Sequence, residues 1–416
     1  MRILYCTDTY PPQVNGVSIV THLAVSGLLE RGHPMGVVTP RYPAEGPRSV
    51  FDADGAEVVA AVPSVPMPGY PEIRLAFPAY RRVLRGAARF QPDLIHCTTE
   101  GVLGRLGQLV ARKLGVPVVT SYHTDFSRYM TAYGADWLAA PTRSYLTRFH
   151  NRATLTLTPS HAAVAQLRLM GVGRTIVWGA GVDAVTYRPD RRSPALRQKL
   201  GLEGKFTFLH VGRLAPEKNL DLLIRAFARC RELVGPDRAT LVIAGDGPLR
   251  AELERSAPPG IRFLGYLDRG TDLPELYASA DAFVFSSETE TLGLVILEAM
   301  ASGLPVVAAP AAGVGAYLRH GVNGLAYPPG DKEAMAGFMA DLVTEPALRD
   351  SLAEGARRTA ESLGWDRELD RLVRIYENVG SSAWPPPITA EHAIANERTG
   401  SFRITAGSRR EGLRGT

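Results

Sequence analysis

Short apolar runs alternate with longer amphipathic stretches along almost the whole of this chain. The runs read as buried strands and the stretches, with apolar positions three and four apart, as helices; their alternation is the signature of parallel sheets with crossover helices. In the first half the pattern predicts strands near 2–6, 35–39, 57–62, 93–97, 116–121, 154–158 and 175–178, and helices near 17–31, 78–90, 101–114, 137–151 and 160–170. The second half restarts with Phe206-Thr207-Phe208-Leu209-His210-Val211, followed by a helix near 216–233 and strands at 239–244, 261–264, 281–285, 305–308 and 324–327. Helical patterns at 331–343, 346–362 and 365–379 close it, the last with apolar residues at i, i+3 and i+4 that should pack rather than float. A polar, proline-containing linker, Tyr187-Arg188-Pro189-Asp190-Arg191-Arg192-Ser193-Pro194, separates the halves. The expectation is an α/β protein with two Rossmann-like, doubly wound parallel-sheet domains, 1–185 and 186–364, meeting at a hinge. Ligands of such sheets bind outside the carboxyl ends of the strands, which puts the site in the cleft between the units. From about Gly380 the chain turns polar around Trp384-Pro385-Pro386-Pro387, and the tail 380–416 is expected to be disordered.

Composition supports two domains. A chain of 416 residues exceeds what one core supports, and 45% apolar content fills two. Cys6, Cys97 and Cys230 have neither metal-ligand spacing nor a disulfide framework, the usage of a reducing compartment. The chain starts directly on a strand, without a basic-then-apolar leader or an 18-residue apolar run, so a cytoplasmic location is expected.

Charge changes the picture more. The net +5 divides into +6 over residues 1–190, −3 over 191–380 and +2 in the tail, so the two halves should face different things. Part of the positive excess is local: Arg81, Arg85 and Arg89 recur at helical i,i+4 spacing with Arg82 beside them, while Val83, Leu84, Ala87 and Ala88 fill another face. Such a helix is suited to an anionic bilayer, and equally to a solvated arginine face over a packed core.

The candidate chemistry centres on Glu290 and Glu298. Eight residues apart, the first is expected at the start of an apolar helix and the second about two turns inside it, with backbones roughly 12 Å apart on neighbouring faces. One carboxylate would accept hydroxyl hydrogen bonds from a sugar and the other from a ribose, with a diphosphate between them at the helix N-terminus. A nucleotide-sugar has that layout.

These residues, with Thr291-Leu292-Gly293-Leu294 and Ala299-Met300-Ala301-Ser302-Gly303-Leu304-Pro305, resemble the E-x7-E signature of retaining glycosyltransferases of family 4, which have the GT-B fold. Four further stretches agree, in the family's order: Pro11-Pro12-Gln13-Val14-Asn15-Gly16-Val17, Ser121-Tyr122-His123-Thr124-Asp125, Gly181-Val182-Asp183 before Arg188-Pro189, and Val211-Gly212-Arg213-Leu214-Ala215-Pro216-Glu217-Lys218-Asn219. The resemblance covers roughly residues 1–379. Tyr-His-Thr-Asp, and Thr-Leu-Gly where many members have Thr-Phe-Gly, look most like sulfoquinovosyl-diacylglycerol synthases and GDP-mannose-dependent mannosyltransferases acting on diacylglycerol-type lipids. Ala180 stands where relatives often carry Lys or Arg. The resemblance implies transfer of mannose, glucose or sulfoquinovose from a GDP- or UDP-sugar to a hydroxyl acceptor, of diacylglycerol type, at the inner membrane face. It also implies that the helix 365–379 returns to the first domain.

Roles follow from both readings. Arg213 and Lys218, five apart between a strand end and a helix, suit a diphosphate and would stabilise the leaving nucleotide. Asn15 and Gly16 open a helix after the first strand, where a residue without a side chain lets backbone approach phosphates. His123 lies at a carboxyl end, where the family places a histidine beside the donor sugar; His22, His96, His150, His161 and His210 read as packing or surface residues. The family resemblance gives Glu290 the sugar hydroxyls, Glu298, Leu292, Gly293 and Leu294 the nucleotide-sugar, and the loop around Tyr266 the base. Tyr122 and Asp125, with the arginines of 81–89, form the expected acceptor and membrane side. No carboxylate is placed as nucleophile, which favours front-face substitution; a short-lived double displacement fits the sequence as well. Asp52-Ala53-Asp54 has the letters of a metal motif outside any strand end, and no cofactor or metal is expected, nor any nucleic acid. The rival readings are a nucleotide-sugar epimerase or hydrolase of the same fold, a transferase with a soluble acceptor, and a lipid-binding module without chemistry.

Overall fold

The computed structural model describes residues 1–13, 15–43, 55–67, 70–123, 136–179, 181–311 and 313–381. Fifteen strands form two parallel sheets and one hairpin among them. In the first sheet, β1 (Ile3–Cys6), β2 (Met35–Pro40), β3 (Glu57–Val62), β6 (Leu94–Cys97), β7 (Val118–Ser121), β8 (Leu155–Thr158) and β9 (Thr175–Val177) stand in the order β3-β2-β1-β6-β7-β8-β9. In the second, β10 (Phe206–Val211), β11 (Ala239–Ala244), β12 (Ile261–Gly265), β13 (Ala282–Phe285), β14 (Val306–Ala308) and β15 (Gly324–Ala326) stand as β12-β11-β10-β13-β14-β15. All pairs in both sheets are parallel, as in β1 against β6 with Ile3 opposite Leu94 and Cys6 opposite Cys97. Strands covered by helices on both faces are apolar throughout, which is why β1, β6, β7, β11 and β13 are buried at every residue.

Each sheet reverses its strand order beside its first strand, between β1 and β6 and between β10 and β13. Those reversals open the crevices in which doubly wound sheets bind ligands. Helices Gly16–Glu30 after β1 and Leu220–Val234 after β10 leave from the same ends.

Three local features depart from the sequence expectation. An antiparallel hairpin, β4 (Ser64–Met67) and β5 (Tyr70–Ala76), occupies a stretch whose prolines read as loop. The polar linker is not a free hinge: it forms a 3-10 turn, Pro189–Arg191, and a short helix, Pro194–Lys199, both fastened to the second unit. Arg192 donates to the Ala280 carbonyl at 2.6 Å and to Asp281 at 2.7 Å, and Arg197 donates to the Ser279 carbonyl at 2.7 Å. Short helices at Arg250–Ser256 and Asp272–Ser279 also went unread in the sequence.

After the helices Lys332–Thr344 and Pro346–Ser362, the chain passes Leu363 and Gly364 and enters helix Trp365–Gly380. At this crossing Val182 N–H donates to the Leu363 carbonyl at 2.9 Å, so the outgoing and returning segments run side by side. Trp365 lies flat on Gly181, where a Cβ would come within 2.5 Å of its ring. The helix then packs on the first unit. Leu369 fills the space over Gly27, where an added Cβ would meet it at 2.3 Å, and Arg31 pairs with Asp366 and Asp370 at 3.1 and 2.9 Å. The tail beyond 381 lies outside the described residues.

Candidate functional site

The second unit supplies the more heavily charged wall. β10 ends at Val211, and the loop that follows carries Arg213, partly buried. Gly245, at φ +137, packs against this loop so closely that a Cβ would fall 1.9 Å from the Gly212 carbonyl, and Leu214 N–H donates to the Asp246 carbonyl at 2.9 Å. The helix expected from 216 is interrupted: a 3-10 turn, Pro216–Lys218, ends at Asn219 with φ 50, and the α-helix begins at Leu220. Asparagine tolerates the left-handed conformation, and this break turns Lys218 toward Glu290 rather than along a helix. Its ammonium pairs with Glu290, whose Oε1 also accepts from Ser287 Oγ at 3.2 Å. Ser286 Oγ donates to the Lys218 carbonyl at 2.7 Å and Ser287 Oγ to the Glu217 carbonyl at 3.1 Å, locking the two loops together.

Glu290 itself is not in a helix, contrary to the sequence reading. The helix runs Leu294–Ala301 and its cap, Gly293, has φ +75, a left-handed conformation that lets the preceding loop turn away. The estimate of a 12 Å helical span between the two glutamates therefore fails. The loop is fixed instead by Gly313, whose N–H donates to the Glu290 carbonyl at 2.7 Å, and by Tyr317, whose hydroxyl donates to the Leu292 carbonyl at 2.8 Å. Leu292 is buried beneath this loop.

Glu298 lies inside the helix but not on a solvated face: it is 3% exposed. One oxygen pairs with the Arg269 guanidinium and the other accepts from the Tyr277 hydroxyl at 3.1 Å. Arg269, in the loop after β12, was not singled out in the sequence; nothing in its neighbours announces a partner 29 positions on. Tyr266, in the same loop, is 56% exposed at the carboxyl end of β12.

The first unit faces this wall with two strand ends. After β1, Asn15 caps helix Gly16–Glu30: its Oδ1 accepts from Ser18 N–H at 2.9 Å and its Nδ2 donates to Thr9 Oγ1 at 2.7 Å. Among the described residues nothing lies within 4 Å of where a Gly16 Cβ would be, so none of them crowds the start of the helix at Gly16. After β7 comes His123, partly buried; loss of surrounding water pushes its pKa down to about 4, so the imidazole is neutral at physiological pH. Its backbone carbonyl accepts from the Thr291 hydroxyl, a hydrogen bond from the glutamate loop of the second unit to the strand end of the first.

Tyr122, expected on the acceptor side, has its side chain fully buried with Leu146, Leu167 and Val172, edge-on to His150 at 5.8 Å. Thr124, Asp125, Ala180, Val14 and Asp52-Ala53-Asp54 lie outside the described residues. Among those described, no group of His, Cys, Asp and Glu comes together in a way that would hold a metal ion, and no helix is long and apolar enough to cross a membrane.

The basic helix is Tyr80–Phe90. Val83, Ala87 and Phe90 are buried, Ala88 is exposed, and Arg81, Arg82, Arg85 and Arg89 all face solvent. The neighbouring hairpin adds what the sequence did not announce. Val65 pairs across the strands with Leu75, and both are exposed, as are Met67 and Phe77.

Two family descriptions match the chain: Glycosyltransferase Family 4 over residues 14–185 and Glycosyl transferases group 1 over residues 192–359. A GDP-mannose-dependent alpha-mannosyltransferase of Mycobacterium tuberculosis is 36% identical over 380 residues, 91% of this chain and 97% of that one. An alpha-monoglucosyldiacylglycerol synthase of Streptococcus pneumoniae is 32% identical over 323 residues, 74% of this chain and 71% of that one. Among solved structures, Alr3699/HepE of Anabaena in complex with UDP and glucose superposes with a TM-score of 0.72 at 22% identity, over 91% of this chain and 99% of that one.

Proposed function

Because the chain belongs to the family 4 glycosyltransferases and has their GT-B fold, we propose that it transfers a hexose, with retention, from a GDP- or UDP-sugar to a hydroxyl of a diacylglycerol-type glycolipid at the inner membrane face. One observation carries the reading above the rest: Thr291 donates to the carbonyl of His123, so the Glu290 loop and the end of β7 close on a single space. A donor there would lay its diphosphate by Arg213 and Lys218, its sugar between Glu290 and His123, and its ribose toward Glu298. The relatives that act with GDP-mannose or make a glucosyldiacylglycerol support a hexosyl donor and a lipid acceptor.

The step that fits these residues is front-face substitution. The bond from the anomeric carbon to the phosphate oxygen breaks, the acceptor oxygen bonds on the same face, and the departing phosphate takes the hydroxyl proton. Arg213 and Lys218 stabilise the charge that develops on the leaving group, the contribution expected to be largest in such a site. Neutral His123 orients the sugar through a hydrogen bond and its dipole. In this scheme no metal ion takes part.

The basic helix and the exposed apolar residues of the hairpin support the membrane side of the reading: arginines for anionic headgroups beside Val65, Leu75 and Phe77 for the interface. The test of the donor is thermal stabilisation by UDP, GDP and their sugars, since a ligand that binds only the folded state raises Tm according to its concentration over Kd. Stabilisation by one nucleotide, with sugar transferred to a diacylglycerol-type acceptor, is the expected result. No stabilisation by either nucleotide, or release of free sugar without acceptor, would overturn it.

A further inference from the structure

Four buried polar groups form a hydrogen-bonded chain from helix Trp365–Gly380 to β7, the strand that His123 follows. The hydroxyl of Tyr376, on helix Trp365–Gly380, lies 2.7 Å from that of Tyr5 on β1 and 2.6 Å from Nδ1 of His96 on β6. Nε2 of His96 lies 2.8 Å from Oγ of Ser121, the last residue of β7. Every member is essentially inaccessible to water, and burial holds His96 neutral. Each hydroxyl brings one proton and the neutral imidazole another, so for either tautomer of His96 there is an arrangement of protons that makes every bond in the chain.

Placing four polar groups in an apolar layer is costly unless each is paired, and an all-apolar contact would hold the helix as well. What this chain adds is direction at the end of β7. Ser121 is held from one face of the sheet by His96, while Tyr122 is buried on the other face against His150. His123 follows immediately, its carbonyl tied to Thr291. Two fixed residues and one anchored carbonyl define where the imidazole goes.

We infer that Tyr376 and His96 are positioning residues for transfer: when helix Trp365–Gly380 is seated on the first unit, they set the end of β7 and through it the orientation of His123. Neither touches donor or acceptor. The inference deepens the proposed function and rests on its reading of His123 as the residue beside the donor sugar.

The experiment is a double-mutant cycle on the full chain, with Tyr376→Phe and, from the other end, Ser121→Ala, each alone and combined with His123→Ala. Alone, each should lower kcat about tenfold, the scale of a small misplacement of a catalytic group, while the donor KM and nucleoside diphosphate binding stay near wild type and the Tm falls, because a buried polar group loses its partner. Combined with His123→Ala, neither should lower kcat further, because both act through that imidazole. An unchanged kcat in the single variants, or the same fall in both backgrounds, would overturn the inference while leaving the site reading intact. A fully active His123→Ala would overturn both.

Discussion

The guanidinium of Arg269 pairs with the carboxylate of Glu298. With Tyr277 on the second oxygen, Glu298 is an oriented, buried carboxylate rather than a mobile surface one, and in the proposed function it is in that form that it would meet the nucleotide. Glu298→Gln removes the charge and keeps the shape, so it should raise the donor KM with little change in kcat, while Arg213→Ala should act mainly on kcat. Each loss of a charge-assisted hydrogen bond is expected to cost roughly 1.5–3 kcal/mol in kcat/KM, about tenfold to a hundredfold. Arg269→Ala, which strands a buried carboxylate, should lower stability by up to roughly 3 kcal/mol, visible as a lower Tm. Wild-type kcat/KM in both Glu298→Gln and Arg213→Ala would remove this wall from the nucleotide site.

Thr291→Val deletes the hydroxyl that reaches the His123 carbonyl and leaves the side-chain volume in place. Loss of one such bond is worth about 1 kcal/mol, so kcat should fall about fivefold while nucleoside diphosphate affinity holds. His123→Ala should fold, keep that affinity and lose most of its transfer activity. Steady-state kinetics beside calorimetric titration of UDP and GDP separates the two effects, and a weaker Kd in either variant would count against a role confined to the sugar.

Acid should destabilise the protein from below pH 6.5. His123 and His210 are both pushed down to about 4 by burial, so between pH 6.5 and 4 the unfolded chain binds protons that the native protein does not. Stability therefore rises with pH across that window and is complete above it, each such histidine contributing up to about 1.4 kcal/mol per pH unit. Chemical denaturation between pH 4.5 and 8 measures this, and a shallower slope in His123→Ala assigns part of it. A flat profile would contradict the burial of these imidazoles.

Replacing Arg81, Arg82, Arg85 and Arg89 by Gln should weaken binding to anionic vesicles by up to about 1 kcal/mol per charge, with the effect fading as salt rises. Changing Leu75 and Phe77 to Ser should weaken it in a way that salt does not mask, since their contribution is burial of apolar area. Activity toward a dispersed, water-soluble acceptor should survive both sets of changes. Equal vesicle binding by wild type and variants at low salt would favour a soluble acceptor.

The sheets were legible because their strands are covered on both faces, and a short β-branched run such as Leu241-Val242-Ile243-Ala244, alternating with longer helical stretches, reads as a buried strand. The hairpin was not: Pro66 and Pro71 break the alternation that marks a strand, and Val65, Met67 and Leu75 are exposed to solvent, so periodicity had little to follow. Glu290 was placed in a helix because apolar spacing continues through Leu292, whereas the left-handed turn at Gly293 is a backbone fact that spacing does not carry. Arg269 and His96 escaped for a different reason. Their meaning lies in partners 29 and 280 positions away, which only the folded arrangement brings together.

The side-by-side crossing at Val182 and Leu363 means that the first unit is built from both ends of the polypeptide. A ribosome finishes residues 1–185 on the order of tens of seconds before it releases the helix that covers Gly27 and offers Tyr376 to His96. Through that interval the nascent first unit carries an open apolar groove and an unfinished polar chain, and it is completed only when helix Trp365–Gly380 arrives. Synthesis that stops anywhere between the two crossings would leave a half-enzyme with its seam exposed, a substrate for chaperones and proteases rather than a working domain.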